Sequence, residues 1–269
     1  MVALEVQVVD SGEVVQSDFK LTSGFTRKLA IASTLRVALM EVGGHWRRLL
    51  SSAILPAATA AAASVGVRLA LPASPTGEIR LYLQQQFCLS VVHGLAAVLV
   101  SVCTHRILLM DAASLPNRWG IFWTRRELAF SWRAFLLYCA LWGPLLLVMY
   151  LAVKLPFGGS LYPYRRAVEV TAYTPMIYVV ARLSLVLPAI ATDRPIGFRD
   201  AWLLSEQNGI RLTVVLAVMP LALHSLRYLW SLQFPPSDGT KVLLVLVLGI
   251  FEIAVLSCAY RLLSRLAPD

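Results

Sequence analysis

The last three long apolar runs of the sequence contain three charged side chains and one histidine, which would meet hydrocarbon. They are Arg182, His224, Arg227 and Glu252. A charge at the centre of a bilayer costs about 2.5–3.5 kcal/mol on insertion scales and normally needs a partner. The sequence therefore predicts an intramembrane polar cluster, with Arg182 paired to Glu252. Two interpretations stay open: a buried ion pair that fixes helix packing, or a polar site for a substrate or lipid headgroup.

Arg227 has no second intramembrane carboxylate to pair with once Glu252 is taken. Such a guanidinium can snorkel toward the headgroups, bond to backbone carbonyls freed near Pro220, or contact an anion from outside the chain. We expect His224 and Arg227 to line a cavity between the last three spans that holds a phosphate or carboxylate group.

A second set of residues places aromatic rings or basic groups at the edges of the apolar runs. These interfacial candidates are His105, Arg106, Trp119, Trp123, Arg125, Arg126 and Trp202. Tryptophan and basic side chains at this level usually anchor a helix at the membrane–water interface. The sequence predicts that role for them, with His105 and Arg106 meeting lipid phosphates or water.

Motifs for catalysis and metal binding are missing from the sequence. It contains no G-x-x-x-x-G-K-[ST], no H-E-x-x-H and no G-x-S-x-G. The four cysteines lie in apolar segments without a C-x-x-C pair, and the four histidines are scattered. We predict no catalytic residue, no metal and no cofactor. An enzyme acting on lipid headgroups at the cytoplasmic face stays as the alternative, because three aspartates lie near that interface.

Composition excludes a water-soluble fold for these 269 residues. Hydrophobic residues make up 58% and charged residues 14%, whereas soluble domains are roughly 45–50% apolar. The 24 basic and 15 acidic residues give a net charge of +9. Basic flanks of membrane spans account for that excess, so we expect no nucleic-acid partner.

Six apolar segments are long enough to cross a hydrocarbon core of about 30 Å. They are residues 49–67, 81–105, 134–153, 170–192, 212–235 and 242–260. With successive loops on alternate sides, sixteen basic residues fall on one side and six on the other. The positive-inside rule then places both termini in the cytoplasm. The predicted fold is an all-α, polytopic bundle of six transmembrane helices with cytoplasmic amphipathic interfacial helices.

The domain organisation follows from this pattern. Residues 1–23 form a short acidic arm, either a hairpin or disordered. Residues 24–48 repeat apolar positions every three or four residues with arginines between them, which is typical of an amphipathic helix. That helix either lies in the headgroup plane or continues into span one and packs against the bundle. Residues 49–266 form the six-span membrane domain.

Three stretches resemble a pattern of bacterial six-span membrane proteins of unassigned function. They are residues 181–212 (A-R-L-S-L-V-L-P-A-I-A-T-D-R-P-I-G-F-R-D-A-W-L-L-S-E-Q-N-G-I-R-L), His105-Arg106 followed by Leu108-Leu109, and Arg125-Arg126-Glu127-Leu128. That family is related to the membrane domain that precedes the catalytic barrel in some glycerophosphodiester phosphodiesterases. The resemblance implies a bacterial inner-membrane protein and supplies no catalytic residues.

The favoured function is a binding, transport or accessory role that involves an anionic lipid or a small anion. A carrier needs its polar cluster at mid-depth, whereas an enzyme needs acid–base groups near the interface. The positions of the four intramembrane residues favour the carrier or binding protein. The expected partners are membrane lipids, and a membrane-protein partner or a homo-oligomer stays open.

Overall fold

The described part of the chain consists of helices joined by turns, with no strand. A computed structural model describes residues 28–71, 79–110, 123–154, 165–233 and 238–266. The helices are α1 (Ile31–Ala70), α2 (Ile79–Leu109), α3 (Arg125–Lys154), α4 (Arg165–Leu183), α5 (Val186–Ala191), α6 (Phe198–Leu204), α7 (Gly209–Thr213), a π-helical turn (Val214–Val218), α8 (Met219–Gln233) and α9 (Asp238–Leu266). The predicted all-α class is confirmed.

Within the described ranges, five helical stretches are long and apolar enough to cross a membrane. They are Ile31–Ala70, Arg80–Leu109, Tyr173–Ala191, Gly209–Ser231 and Leu243–Arg265. The chain is therefore a multi-pass integral membrane protein. The remaining predicted segment, 134–153, lies within α3, and several of its side chains are outside the described residues. The acidic arm at 1–23 is also outside them.

Two prolines explain where the helices depart from regular geometry. A proline ring clashes with the carbonyl four residues earlier and lacks an N–H donor. Pro188 therefore disfavours a regular helix at Ser184, and a turn at residues 184–185 separates α4 from α5. Pro220 cannot donate to Leu216, and the wider π-helical turn lies just before it, where Met219 N–H donates to Val214 O.

The short helix α5 lies at the centre of the bundle. Leu185, Val186, Ala189 and Ala191 are all fully buried, and α5 packs against α2, α3 and α9. The outer helices α1 and α2 form a hairpin, with α9 packed against both. In the span half of α1, Ala53, Pro56, Ala60 and Ser64 are buried at intervals of three or four residues. Small residues at this spacing let helices approach closely in a membrane.

Helix α1 continues through the predicted boundary at Leu49 without a break. Its 40 residues extend about 60 Å, twice the hydrocarbon thickness. Thr34 and Ala38, in its first half, are fully buried, and Glu41 Oε1 accepts a hydrogen bond of 2.6 Å from Arg261 Nη2 of α9. Residues 31–48 therefore continue into the predicted span one as a single helix that contacts α9. The position of this segment relative to the lipid headgroups stays a prediction.

Candidate functional site

The four intramembrane residues do not form one cluster. His224 Nε2 and Glu252 Oε1 are 2.8 Å apart and join α8 to α9, with both side chains about one-third exposed. Arg182 instead contacts α6. The expected Arg182–Glu252 pair does not form, because the chain turns immediately after Leu183 and the end of α4 faces the short helices that follow.

Arg182 is buried and bound by neutral groups. Its Nε donates to Ser205 Oγ at 2.8 Å, and its Nη2 donates to the carbonyl of Trp202 at 2.6 Å. The guanidinium carbon lies 3.5 Å from the centre of the Trp202 ring, and Nη1 donates to Tyr178 Oη at 3.3 Å. Stacking and directed hydrogen bonds of this kind suit arginine in particular. Arg182 therefore clamps α6 to the end of α4. Trp202 is partly exposed, and its ring also packs against the Arg182 guanidinium.

The Q-N-G-I-R stretch ties the turn after α6 to the start of α1. The Leu29 N–H donates to Asn208 Oδ1 at 2.6 Å, and Arg211 Nη1 donates to the Leu29 carbonyl at 2.9 Å. Gly209 packs directly against the ring of Tyr178. These residues of the resemblance therefore support packing among the described helices.

The structure brings the three stretches of the resemblance together at one carboxylate. Arg106 Nη1 at the end of α2 donates to Asp193 Oδ2 at 2.8 Å, and Arg126 Nε at the start of α3 donates to Asp193 Oδ1 at 2.7 Å. Arg106 also donates to the Ala191 carbonyl at 3.2 Å. Charge-assisted hydrogen bonds are about twice as strong as neutral ones. Asp193 thus joins the ends of α2, α3 and α5.

The backbone of Asp193 is strained to reach this position. Its φ of 59° is in the left-handed region, where a residue other than glycine costs of order 1–3 kcal/mol. Two hydrogen bonds close the end of α5: Asp193 N–H to the Ile190 carbonyl, and Arg194 N–H to the Ala189 carbonyl. This is the Schellman pattern, in which glycine is the usual residue. The two arginine contacts give a physical reason for aspartate there.

Electrostatics favour the charged form of Asp193. Partial burial acts to raise the pKa of its carboxyl, but the hydrogen bonds and charges of Arg126 and Arg106 outweigh burial and hold the pKa below its ordinary value. The side chain is still 52% exposed, so solvent screens these contacts.

Arginines outnumber acidic residues around Asp193. We call this region the arginine-rich end, and it comprises Arg106, Arg125, Arg126, Arg133, Arg194 and Arg199. Arg133 lies over the Phe198 ring at 4.8 Å, which joins α3 to α6. Arg125, Arg194 and Arg199 are exposed.

The other carboxylates of this end are held by local backbone groups. Glu127 Oε2 accepts from the Thr124 N–H at 2.8 Å and from the Thr124 hydroxyl. Asp200 Oδ2 accepts from the Gly197 N–H at 2.9 Å. Both contacts cap helix N-termini. Among the described residues, no carboxylate is therefore hydrogen-bonded to Arg125, Arg194 or Arg199.

His105 is buried, whereas the sequence predicted an interfacial residue. It is only 1% exposed because α2 continues to Leu109 and this face of the helix packs on α9. Its Nδ1 lies 2.7 Å from Ser257 Oγ, and that hydroxyl donates to the Ile253 carbonyl. A hydroxyl has one hydrogen, so the histidine is the donor. In a serine nucleophile that is activated by a histidine base, the serine hydroxyl donates to the histidine. Here the hydrogen bond has the opposite direction.

Arg227 lacks a partner within the described residues. Its Nε is buried without a hydrogen bond, and Glu252 is bonded to His224. The carboxylate that the sequence assigned to Arg182 is thus bonded to His224 instead. The anion cavity beside it stays a prediction.

The remaining interfacial candidates are distributed as follows. Trp123 is 41% exposed and precedes α3, next to the exposed Arg125, whereas Trp119 lies outside the described residues.

No group of three or more His, Cys, Asp or Glu side chains in the described ranges could hold a metal ion. Sequence inspection missed Ser205 and Asn208, which lie in the S-E-Q-N-G turn, and Ser257, which lies inside α9. A single polar residue at such a position gives no signal of its distant partner.

Comparison with protein-family models, curated proteins and solved structures gives no match for this chain.

Proposed function

We propose that the protein binds anionic lipids of a bacterial inner membrane through its arginine-rich end. In this proposal the chain crosses the membrane six times, with α3 as the remaining span and both termini in the cytoplasm. The observation that carries it is the excess of exposed arginine beside carboxylates that are already bonded. A basic residue near an anionic leaflet contributes about 1 kcal/mol to lipid attraction.

Arginine is suited to this role because its guanidinium can donate two parallel hydrogen bonds to one phosphate. Arg125, Arg194 and Arg199 are exposed. The Asp193 contacts hold the segments of Arg125 and Arg194 together, and the Arg133–Phe198 contact joins α3 to α6, which carries Arg199. The Asp193 junction would thus fix the spacing of the phosphate-binding side chains. Kinship with the membrane domain of glycerophosphodiester phosphodiesterases is part of the proposal, supported by the meeting of the three resembling stretches at Asp193.

The sidedness of the proposal rests on the distribution of basic residues. The arginine-rich end lies on the side that carries sixteen of them, and positive residues favour the cytoplasmic side. Lipids with net negative charge give that leaflet its negative surface potential.

The test is titration of delipidated, detergent-solubilised protein with phosphatidylglycerol, followed by native mass spectrometry. The variant Arg194→Gln/Arg199→Gln removes two exposed charges of the arginine-rich end. Its matched control is Arg68→Gln/Arg80→Gln, which removes two exposed charges at the other end of the α1–α2 hairpin. Arg80 and Arg106 are about 39 Å apart along α2.

We expect the first variant to bind the lipid about 30-fold more weakly, which corresponds to roughly 1 kcal/mol for each arginine. The control should bind like the wild type. Equal affinity in the two variants would contradict the proposal.

A further inference from the structure

The residues just before α1 are fixed close to the helix that carries Arg199. The Leu29 N–H donates to Asn208 Oδ1, and Arg211 donates to the Leu29 carbonyl. Asn208 lies four residues after the end of α6. Five helical steps of about 1.5 Å and four further steps of at most about 3.8 Å separate Arg199 from Asn208, so their Cα atoms lie within about 23 Å of each other. The chain that precedes Leu29 is therefore tethered near the arginine-rich end.

The acidic arm, residues 1–23, and the arginine-rich end carry opposite charges. The arm has one lysine and four acidic residues, which are Glu5, Asp10, Glu13 and Asp18. At the arginine-rich end, Arg125, Arg194 and Arg199 are exposed, and no carboxylate of the described residues is hydrogen-bonded to them. The charge that the arm offers is thus the charge that these three arginines lack.

The acidic arm is also long enough to reach the arginine-rich end. An extended chain covers at most about 3.3–3.6 Å per residue, so the ten residues from Lys28 back to Asp18 cover up to about 33–36 Å. That reach exceeds the separation between Arg199 and the anchor at Asn208. Tethering by a short linker also gives the arm an effective concentration in the millimolar range.

We propose that the acidic arm docks on the arginine-rich end, with its carboxylates accepting hydrogen bonds from the exposed arginines. An anionic lipid would use the same guanidinium groups, so the arm and the lipid compete. The docking stands on charge and reach alone, whereas the competition rests on the proposed function. Exposed ion pairs are weak, so we expect the arm to be docked in about half of the molecules at low salt.

The test measures distances between two spin labels by pulsed electron paramagnetic resonance in the detergent-solubilised full-length chain. On a background with the four native cysteines replaced, one label is attached at Ser17→Cys in the arm. The other is attached at Leu128→Cys, an exposed position on α3 three residues after Arg125. Docked arms give a narrow component at short distance, and undocked arms give a broad distribution.

Three variants separate docking on the arginine-rich end from a general effect of charge. The neutral arm has its four acidic side chains replaced by the corresponding amides. Arg194→Gln/Arg199→Gln removes two exposed charges of the arginine-rich end. Arg47→Gln/Arg48→Gln is the matched control, because it removes two exposed charges of α1 that do not belong to that end.

We expect the neutral arm to lose the short-distance component. Salt at 1 M, where the Debye length is about 3 Å, should remove it from the wild type. Arg194→Gln/Arg199→Gln should lower the docking constant about fivefold, the equivalent of two exposed ion pairs, and leave about one-sixth of the molecules docked. Arg47→Gln/Arg48→Gln should keep the wild-type population. A short component that persists in the neutral arm, or equal populations in the two arginine variants, would overturn the proposal.

Titration with phosphatidylglycerol tests the competition separately. Because about half of the wild-type molecules are docked, the neutral arm should bind this lipid about twofold more tightly than the wild type. Saturating phosphatidylglycerol should remove the short-distance component, and zwitterionic phosphatidylcholine should leave it. A docked arm that phosphatidylglycerol does not release would overturn the competition while the docking stands, so failure of the docking and failure of the proposed lipid site are distinguishable.

Discussion

Gly209→Ala should destabilise the protein, because the position next to Tyr178 has no room for a methyl group. A Cβ at residue 209 would lie 2.7 Å from Tyr178 Cε2 and 2.8 Å from Cζ, and in contact with the hydroxyl oxygen. Real Cβ atoms essentially never approach so closely. The ring must move, and its hydroxyl accepts the hydrogen bond from Arg182. The strain therefore reaches the contact that clamps α6 to α4.

The expected loss combines two opposing effects. Overpacking of a filled interior costs about 1–3 kcal/mol, while alanine gains up to about 1 kcal/mol over glycine in a helix. We expect a net loss of about 1–2 kcal/mol in the free energy of unfolding. For a chain of this length, each kcal/mol of lost stability lowers the melting temperature by roughly 2–4 °C.

Thermal unfolding in detergent, followed by tryptophan fluorescence, measures this loss, and Trp202 beside Arg182 reports on the same region. The matched control is Gly249→Ala in α9, where an added Cβ meets nothing within 4 Å, so its stability should stay equal or rise. In the Tyr178→Ala background, Gly209→Ala should cost nothing, since its steric partner is gone. Equal melting temperatures for Gly209→Ala and Gly249→Ala would refute the reasoning.

Three further predictions concern charged contacts. The pKa of Asp193 is lowered in the folded protein, so its contribution to stability is present above the ordinary value of 3.8 and is lost as pH falls through the folded pKa. In thermal melts, Asp193→Asn should therefore lack this loss of stability in acid. A variant with the same pH profile as the wild type would contradict this prediction. In a double-mutant cycle, the effects of His224→Ala and Glu252→Gln on the free energy of unfolding should be coupled by about 0.5–3 kcal/mol. The effects of Arg182→Ala and Glu252→Gln should be additive. The opposite result would favour the Arg182–Glu252 pair expected from the sequence. Arg182→Lys should lower the free energy of unfolding by about 1–3 kcal/mol, because an ammonium leaves the buried Ser205 hydroxyl and Trp202 carbonyl incompletely bonded. Calorimetry measures this loss. A variant as stable as the wild type would show that the guanidinium geometry is unimportant.

Helix content and membrane insertion could be predicted from the sequence because both depend on local composition. The apolar runs at 49–67, 81–105 and 242–260 lie within α1, α2 and α9. The end of α4 could not be placed in the same way. A proline in a membrane helix is often tolerated, so Pro188 alone did not show that the chain would turn after Leu183 and move Arg182 away from Glu252.

The Asp193 junction was beyond sequence reasoning for a different reason. Asp193 is separated by 87 residues from Arg106 and by 67 from Arg126, and spacing along a chain carries no information on contacts at that range. The resemblance grouped the three stretches without giving their geometry.

The sidedness of the arginine-rich end tests the proposed function most directly, since binding of cytoplasmic anionic lipid requires this end to face the cytoplasm. On a background with the four native cysteines replaced, Arg199→Cys and Arg80→Cys each introduce one exposed thiol at opposite ends of the bundle. An impermeant thiol reagent is applied to spheroplasts and then to permeabilised membranes. The account predicts that Arg80→Cys is modified in spheroplasts and that Arg199→Cys is modified only after permeabilisation. Modification of Arg199→Cys in sealed spheroplasts would contradict it.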